Sequence, residues 1–127
     1  MRPRSVTLRR PRGAGRSPIA TARPIGNRFG EAGILQKRAE ASAQRGDHGD
    51  AIADFAASAA ILEEFGARPQ LARVLHGWGA TLRAAGREAE GDATLQRALA
   101  LFEEMGIALE AEAVRALLAR EAQDAAG

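Results

Sequence analysis

Apolar residues beyond position 30 recur at helical spacing, in segments that each end at a glycine. Gly46, Gly66, Gly86 and Gly106 are evenly spaced, with one at every twentieth position. Glycine just past a helix end readily takes the left-handed conformation that other residues resist. The pattern therefore predicts helices joined by short turns, and no strands. The five predicted helices cover 31–45, 49–65, 69–85, 88–105 and 108–123.

Apolar stripes along these helices indicate which residues form the core. In the third helix Leu71, Leu75, Trp78 and Leu82 are spaced i, i+4, i+7 and i+11, which places them on one face. The position of Trp78 in this stripe favours a core role over an exposed binding role. The stripe of the fourth helix is Leu95, Ala98, Leu99 and Phe102, and that of the fifth is Leu109, Ala113, Leu117 and Leu118.

Composition narrows the fold and the chemistry. Of the 58 apolar residues 30 are alanine, aromatic residues make up 4%, and cysteine is absent. Small side chains suit helices packed on helices, and the absence of cysteine excludes disulfides, thiol catalysis and cysteine-ligated metals. His48 and His76 have no acidic partner at a zinc-binding spacing, so no metal, cofactor or catalytic residue is expected. Composition therefore predicts an all-α protein that is not an enzyme.

The charge is divided unevenly along the chain. Residues 1–28 hold eight arginines, four of the five prolines and no acid, whereas 29–127 hold 10 basic and 16 acidic residues, a net charge of 10 − 16 = −6. The composition of residues 1–28 is typical of a disordered segment. It is interpreted either as a solvated leader or as a contact for nucleic acid or another polyanion. In the second case the candidate contacts are Arg2, Arg4, Arg9, Arg10, Arg12 and Arg16.

An internal repeat appears when the chain is shifted by forty positions. Comparing 44–79 with 84–119 gives seven identical positions among 36, and turn glycines coincide with turn glycines. The identical pairs are Gly46/Gly86, Ala53/Ala93, Ala60/Ala100, Glu63/Glu103, Glu64/Glu104, Gly66/Gly106 and Val74/Val114. The repeating unit is a pair of helices, and such pairs bury their apolar faces by stacking on one another. Residues 29–127 are therefore predicted to form one short α-solenoid.

The repeating unit resembles a tetratricopeptide repeat. In the first copy the Gly46-Asp47 turn is followed by Ala51, Phe55 and Ser58 at the expected spacing. The second copy presents Trp78, Gly79, Leu82, Gly86, Leu95 and Ala98. The chain departs from that family at Gly91, where alanine is usual, and in the missing closing proline. Its period of forty positions is also longer than the roughly 34 residues of that family.

The longer period is similar to that of helical arrays in large bacterial signalling proteins. Residues 71–79 and 98–106 resemble the arrays of ATP-dependent LuxR-type transcription regulators and of cyclases with C-terminal repeats. The resemblance implies a sensor or scaffold that binds a protein or peptide, or a second copy of the chain, in the cytoplasm. It also implies a binding groove along the first helix of each pair. The groove residues would be Gln36, Glu40, Gln44, Arg73, His76 and Arg83; an ordinary solvated helix face is the alternative.

Overall fold

Five α-helices follow one another through the part of the chain that a computed structural model describes, residues 25–126, with side chains described over 27–120. We label them α1 to α5 in chain order. Their bounds are Ile25–Arg45, His48–Phe65, Arg68–Ala84, Glu88–Glu104 and Ala108–Ala126. The structure therefore confirms an all-helical fold, and the four turns lie where the glycine spacing predicts them.

The four turns share one hydrogen-bonding pattern. Each turn glycine has a positive φ, between 64° and 86°. The residue after the glycine donates its backbone N–H to the carbonyl five residues earlier, over 2.8–3.0 Å, as in Asp47 to Ser42 and Arg87 to Leu82. This bond closes a helix end only when the glycine is left-handed. The regular glycine spacing thus makes these helices end in the same way.

The helices pack as two antiparallel pairs and a fifth helix. The most extensive contacts are α3 with α4 and α1 with α2; α2 packs on α3, α4 packs on α5, and α1 also touches α3. The largest fully buried side chains include Phe55, Val74, Leu75, Leu95 and Phe102. The Phe55 ring of α2 lies against Gly77 of α3, where an added Cβ would be 2.8 Å from it, so stacking of neighbouring pairs contributes to the core. The arrangement is a short helical solenoid.

Two glycines allow α3 and α4 to approach closely. A Cβ added at Gly79 would lie 2.6 Å from Leu95 Cγ and 2.9 Å from the Gly91 carbonyl oxygen. A Cβ at Gly91 would lie 2.7 Å from the Gly79 carbonyl oxygen. These distances are well below ordinary carbon contacts. Gly91, which departs from the alanine that is usual in tetratricopeptide repeats, is therefore explained by the crossing of its own helix pair.

The first helix begins at Ile25 rather than at residue 31. Arg28 donates to both Glu64 carboxylate oxygens, at 2.9 and 3.3 Å, and the Phe29 ring meets the Phe65 ring edge to face with centroids 5.6 Å apart. These contacts attach the added turns to the end of α2. Residues 25–28, assigned to the disordered tail from the sequence, are helical; residues 1–24 lie outside the described part.

The apolar stripe predicted for α5 was wrong at two of its four positions, whereas Leu117 and Leu118 are half-buried against the core as predicted. Leu109 is 81% exposed, and Ala113 is exposed as well, whereas Ala111 and Val114 are fully buried. At the position equivalent to Leu109 in the first pair, Phe29 packs on the end of the helix that follows, as shown by its contact with Phe65. No helix among the described residues follows α5, so Leu109 has no such neighbour.

Candidate functional site

One face of the odd-numbered helices carries most of the predicted groove residues. Positions 33, 36, 37 and 40 share a face of α1 because they are spaced i, i+3, i+4 and i+7. The internal repeat carries these positions to 73, 76, 77 and 80 on α3, and to 113, 116, 117 and 120 on α5. We call this set of equivalent positions the odd-helix row. Successive pairs stack in the same register, so the row follows one side of the solenoid.

The predicted residues on α1 and α3 are available at the surface of this row. Gln36 donates to Glu40 over 3.2 Å. Gln44 and Arg73 are exposed, and His76 is half-buried. All six predicted groove residues lie on α1 and α3. Four of them, Gln36, Glu40, Arg73 and His76, belong to the odd-helix row, and Gln44 lies one turn beyond it on α1.

Arg83, the sixth predicted groove residue, has a different environment. Its side chain is only 8% exposed, and its guanidinium lies 3.6 Å from the Asp92 carboxylate of α4. The same guanidinium donates to the Leu117 carbonyl of α5 over 3.3 Å. Arg83 therefore joins three helices and does not present its charge to a ligand, a role that depends on contacts far apart in sequence.

Most cations in the described part of the chain are paired with carboxylates. Eight arginines lie within 4 Å of an Asp or Glu oxygen; they are Arg28, Arg38, Arg45, Arg68, Arg83, Arg87, Arg97 and Arg115. Within residues 27–120 three cations have no such partner, namely Lys37, Arg73 and Arg120. All three are exposed.

The three unpaired cations fall on the odd-helix row, one on each of α1, α3 and α5. Sequence reasoning found Arg73 but missed Lys37 and Arg120. The internal repeat relates each position of α3 to one on α1 and one on α5, and applying it to the groove positions would have found both. The odd-helix row thus presents three positive charges and one negative charge, that of Glu40, to solvent, although residues 29–127 have a net charge of −6.

His76 lies within the row between Arg73 and Ala80. Burial lowers the pKa of its imidazole below the ordinary value of 6.5, and the Glu110 carboxylate on α5 partly opposes that shift. Partial burial favours the neutral form of an imidazole, and here it outweighs the opposing charge of Glu110. His76 therefore adds a neutral hydrogen-bonding group to the row at neutral pH.

The pKa of His76 predicts a pH dependence of stability. The unfolded imidazole takes up a proton more readily than the folded one, so the unfolded state binds more protons below about pH 6.5. We expect the urea midpoint to fall between pH 7.5 and pH 5.5, and His76→Gln to reduce that fall. Denaturation of both proteins at the two pH values measures it. An equal fall in the variant would contradict the role assigned to His76.

Each of the two helix pairs also has an equivalent ion pair and an equivalent surface cleft. Arg28–Glu64 in the first pair recurs one repeat later as Arg68–Glu104. The hydrogen bond from Arg28 lowers the pKa of Glu64. Glu64 and Glu104 therefore each connect the C-terminal end of the second helix of a pair to the first turn of the first helix. Because both partners are about half exposed, we assign each ion pair only a small contribution to stability.

The equivalent clefts of the two pairs are lined by different side chains. In the first pair it measures about 290 Å³ and is crossed by Arg38, which donates to both Asp54 oxygens at 2.7 and 3.0 Å. In the second pair the cleft measures about 320 Å³, and Trp78 and Thr94 take the positions of Arg38 and Asp54. Trp78, expected in the core, is half-buried at this cleft, and its Nε1 is buried without a hydrogen-bond partner.

Comparison with known proteins adds no family to this geometry. No protein-family model, curated protein or solved structure matches the chain. Within the described residues no group of three or more His, Asp or Glu side chains could hold a metal ion. Over that same range no helix combines the length and the apolar character needed to cross a membrane.

Proposed function

We propose that this chain is a non-enzymatic protein-interaction module of the tetratricopeptide-like type, whose odd-helix row binds an acidic segment of a partner protein. The observation that carries the proposal is the placement of Lys37, Arg73 and Arg120. They are the cations that the described fold leaves unpaired, and all three belong to one row on equivalent faces of α1, α3 and α5.

The chemistry of the row fits carboxylate recognition. An exposed guanidinium can donate two parallel hydrogen bonds to one carboxylate, and a lysine ammonium attracts it as a point charge. Gln36 and neutral His76 add hydrogen-bonding groups along the same row, and Gln44 adds one a turn beyond it on α1. Since helix pairs are stacked rigidly through buried contacts, these groups are held at fixed spacing and lose little freedom when a ligand binds.

The broader biological role follows from the same proposal. A short array of stacked helix pairs suits a sensor or scaffold segment of a bacterial signalling or transcription-regulatory protein, as the repeat resemblance implies. The 17 arginines against one lysine indicate a GC-rich genome, and the absence of cysteine fits a reducing compartment such as the cytoplasm. These features support the role without specifying the partner.

An acidic peptide probe tests the binding proposal. We expect the full chain to bind a short fluorescein-labelled peptide of Glu and Ser, measured by anisotropy, more weakly as salt rises. The double variant Arg73→Glu/Arg120→Glu should weaken binding by about tenfold, since each lost exposed pair is worth up to about 1 kcal/mol.

A charge-matched control separates the row from general charge. Arg45→Glu/Arg97→Glu makes the same change in net charge at exposed arginines that are not in the row. We expect this control to weaken binding less than threefold. Equal losses in the two double variants would mean that the probe responds to net charge alone, and the proposal would fail.

The alternative function is polyanion binding through the arginine-rich residues 1–28. It is favoured by the segregation of eight arginines from all acids in that segment. Replacing Arg2, Arg4, Arg9, Arg10, Arg12 and Arg16 by Gln tests it in a gel shift with duplex DNA across salt. A steep salt dependence that these replacements abolish would favour this alternative, because released counterions drive such binding.

A further inference from the structure

An apolar side chain stands uncovered on the outer face of α1. Ile34 is 53% exposed, although Val74 and Val114, which occupy the same position in the internal repeat, are both fully buried. Val74 and Val114 are covered because a helix pair precedes each of them in the stack. No described helix precedes α1, so the same position is open to water there.

Glycines beside Ile34 would let another helix come close. At three glycines inside α3 and α4 the backbone lies close to a neighbour: a Cβ at Gly77 would lie 2.8 Å from the Phe55 ring, and Gly79 and Gly91 meet across the two helices. Gly30 and Gly33 have nothing within 4 Å. Glycine is less favourable than alanine within a helix, so this face resembles a crossing site without its second helix.

The charges around Ile34 specify how a second helix would fit. Glu31 lies three residues before Ile34, and Lys37 lies three residues after it. In an antiparallel pair of identical helices with a two-fold axis at Ile34, residue 34 − k faces residue 34 + k of the other helix. Glu31 then faces Lys37 of the partner subunit, and Lys37 faces Glu31 of the partner subunit. A parallel pair would instead bring like charges together.

We propose that two copies of this chain associate through their α1 helices, antiparallel, with Ile34 at the two-fold axis. Gly30 and Gly33 allow the close approach, Ile34 supplies apolar contact, and the two crossed Glu31–Lys37 pairs set the direction. One helix crossing buries less surface than a standard protein interface, so the dimer is weak and depends on concentration. Arg73 and Arg120 lie on other helices and stay available to the acidic partner.

Sedimentation equilibrium of the full chain tests the association. We expect a reversible monomer–dimer equilibrium in which Ile34→Asp raises the dissociation constant at least tenfold. Gly30→Gln should do the same, although glutamine favours the helix more than glycine and so should not unfold the monomer. A monomer at every concentration, or a dimer unaffected by Gly30→Gln, would overturn the proposal.

Charge exchange tests the antiparallel direction. Glu31→Lys and Lys37→Glu should each weaken the dimer about three- to fivefold, because each single change brings like charges together at both crossed pairs. The double variant Glu31→Lys/Lys37→Glu restores both pairs and should regain the affinity of the original chain. Failure of the double variant to recover would exclude the antiparallel register.

Cysteine cross-linking tests the position of the axis. The chain has no cysteine, so Ile34→Cys places a single thiol on the proposed axis, and Ala60→Cys places one on the exposed surface of α2 as a control. Mild oxidation should cross-link the first variant and leave the second monomeric. If the thiol of Ile34→Cys is instead shielded from a maleimide in a monomer, another part of the same chain covers this face and the proposal is wrong.

Discussion

Replacement of Leu75 by Asp is expected to leave the chain unfolded at 25 °C. Leu75 has no exposed surface and lies on α3, the helix that contacts α1, α2 and α4. Truncating a buried leucine already costs about 2–5 kcal/mol. A carboxylate without a partner at that site adds a desolvation cost. Together these costs are comparable to the about 5–15 kcal/mol of total stability of a small domain.

Circular dichroism at 222 nm with thermal melting measures this outcome. The control is Arg73→Asp, two residues earlier on the same helix, where the side chain is exposed and unpaired. We expect that variant to keep its helical signal and its cooperative melt. A helical, cooperatively melting Leu75→Asp protein would show that the face of α3 assigned to the core is incorrect.

Replacement of Gly79 by Ala is the second change with a large expected effect. The added Cβ would lie 2.6 Å from Leu95 Cγ and 2.9 Å from the Gly91 carbonyl oxygen. Backbone and a branch carbon cannot swing aside as the end of a flexible side chain can, so α3 and α4 must move apart. We expect the free energy of unfolding to fall by about 1–3 kcal/mol or more, which would lower the melting temperature by several degrees.

Gly49→Ala is the matched control for this effect. Gly49 lies in the first turn of α2, and a Cβ there meets nothing within 4 Å. Alanine at this position should be neutral or should stabilise the protein by up to about 1 kcal/mol, because it reduces the freedom of the unfolded chain. If both alanine variants melted at the temperature of the original chain, the close crossing of α3 and α4 would be wrong.

Local signals in the sequence were sufficient to predict most helix ends. A left-handed glycine and the hydrogen bond that closes the helix involve only a short local segment, so Gly46, Gly66, Gly86 and Gly106 placed the turns correctly. The start of α1 was misplaced because it depends on Arg28 and Phe29 contacting the far end of α2. The stripe of α5 was misplaced at Leu109 and Ala113 for a similar reason, since Leu109 would need a following helix to cover it and none is among the described residues.

The candidate site was predictable only in part. The resemblance to known helical repeats implied Gln36, Glu40, Arg73 and His76 as groove residues, but it could not show which charges are neutralised by other helices. Arg83 is held by Asp92 and Leu117, whereas Lys37 and Arg120 remain unpaired. Pairing is a tertiary property, so the charge of a surface follows from the fold rather than from composition.

Nuclear magnetic resonance titration of the full-length chain with the acidic peptide probe tests the central claim most directly. The claim is that the odd-helix row is the partner-binding surface. We expect amide shifts to change at Arg73, His76 and Arg120, on α3 and α5, and to saturate together with one affinity. Changes confined to residues 1–24, with the helices unaffected, would contradict the claim and leave the arginine-rich segment as the binding element.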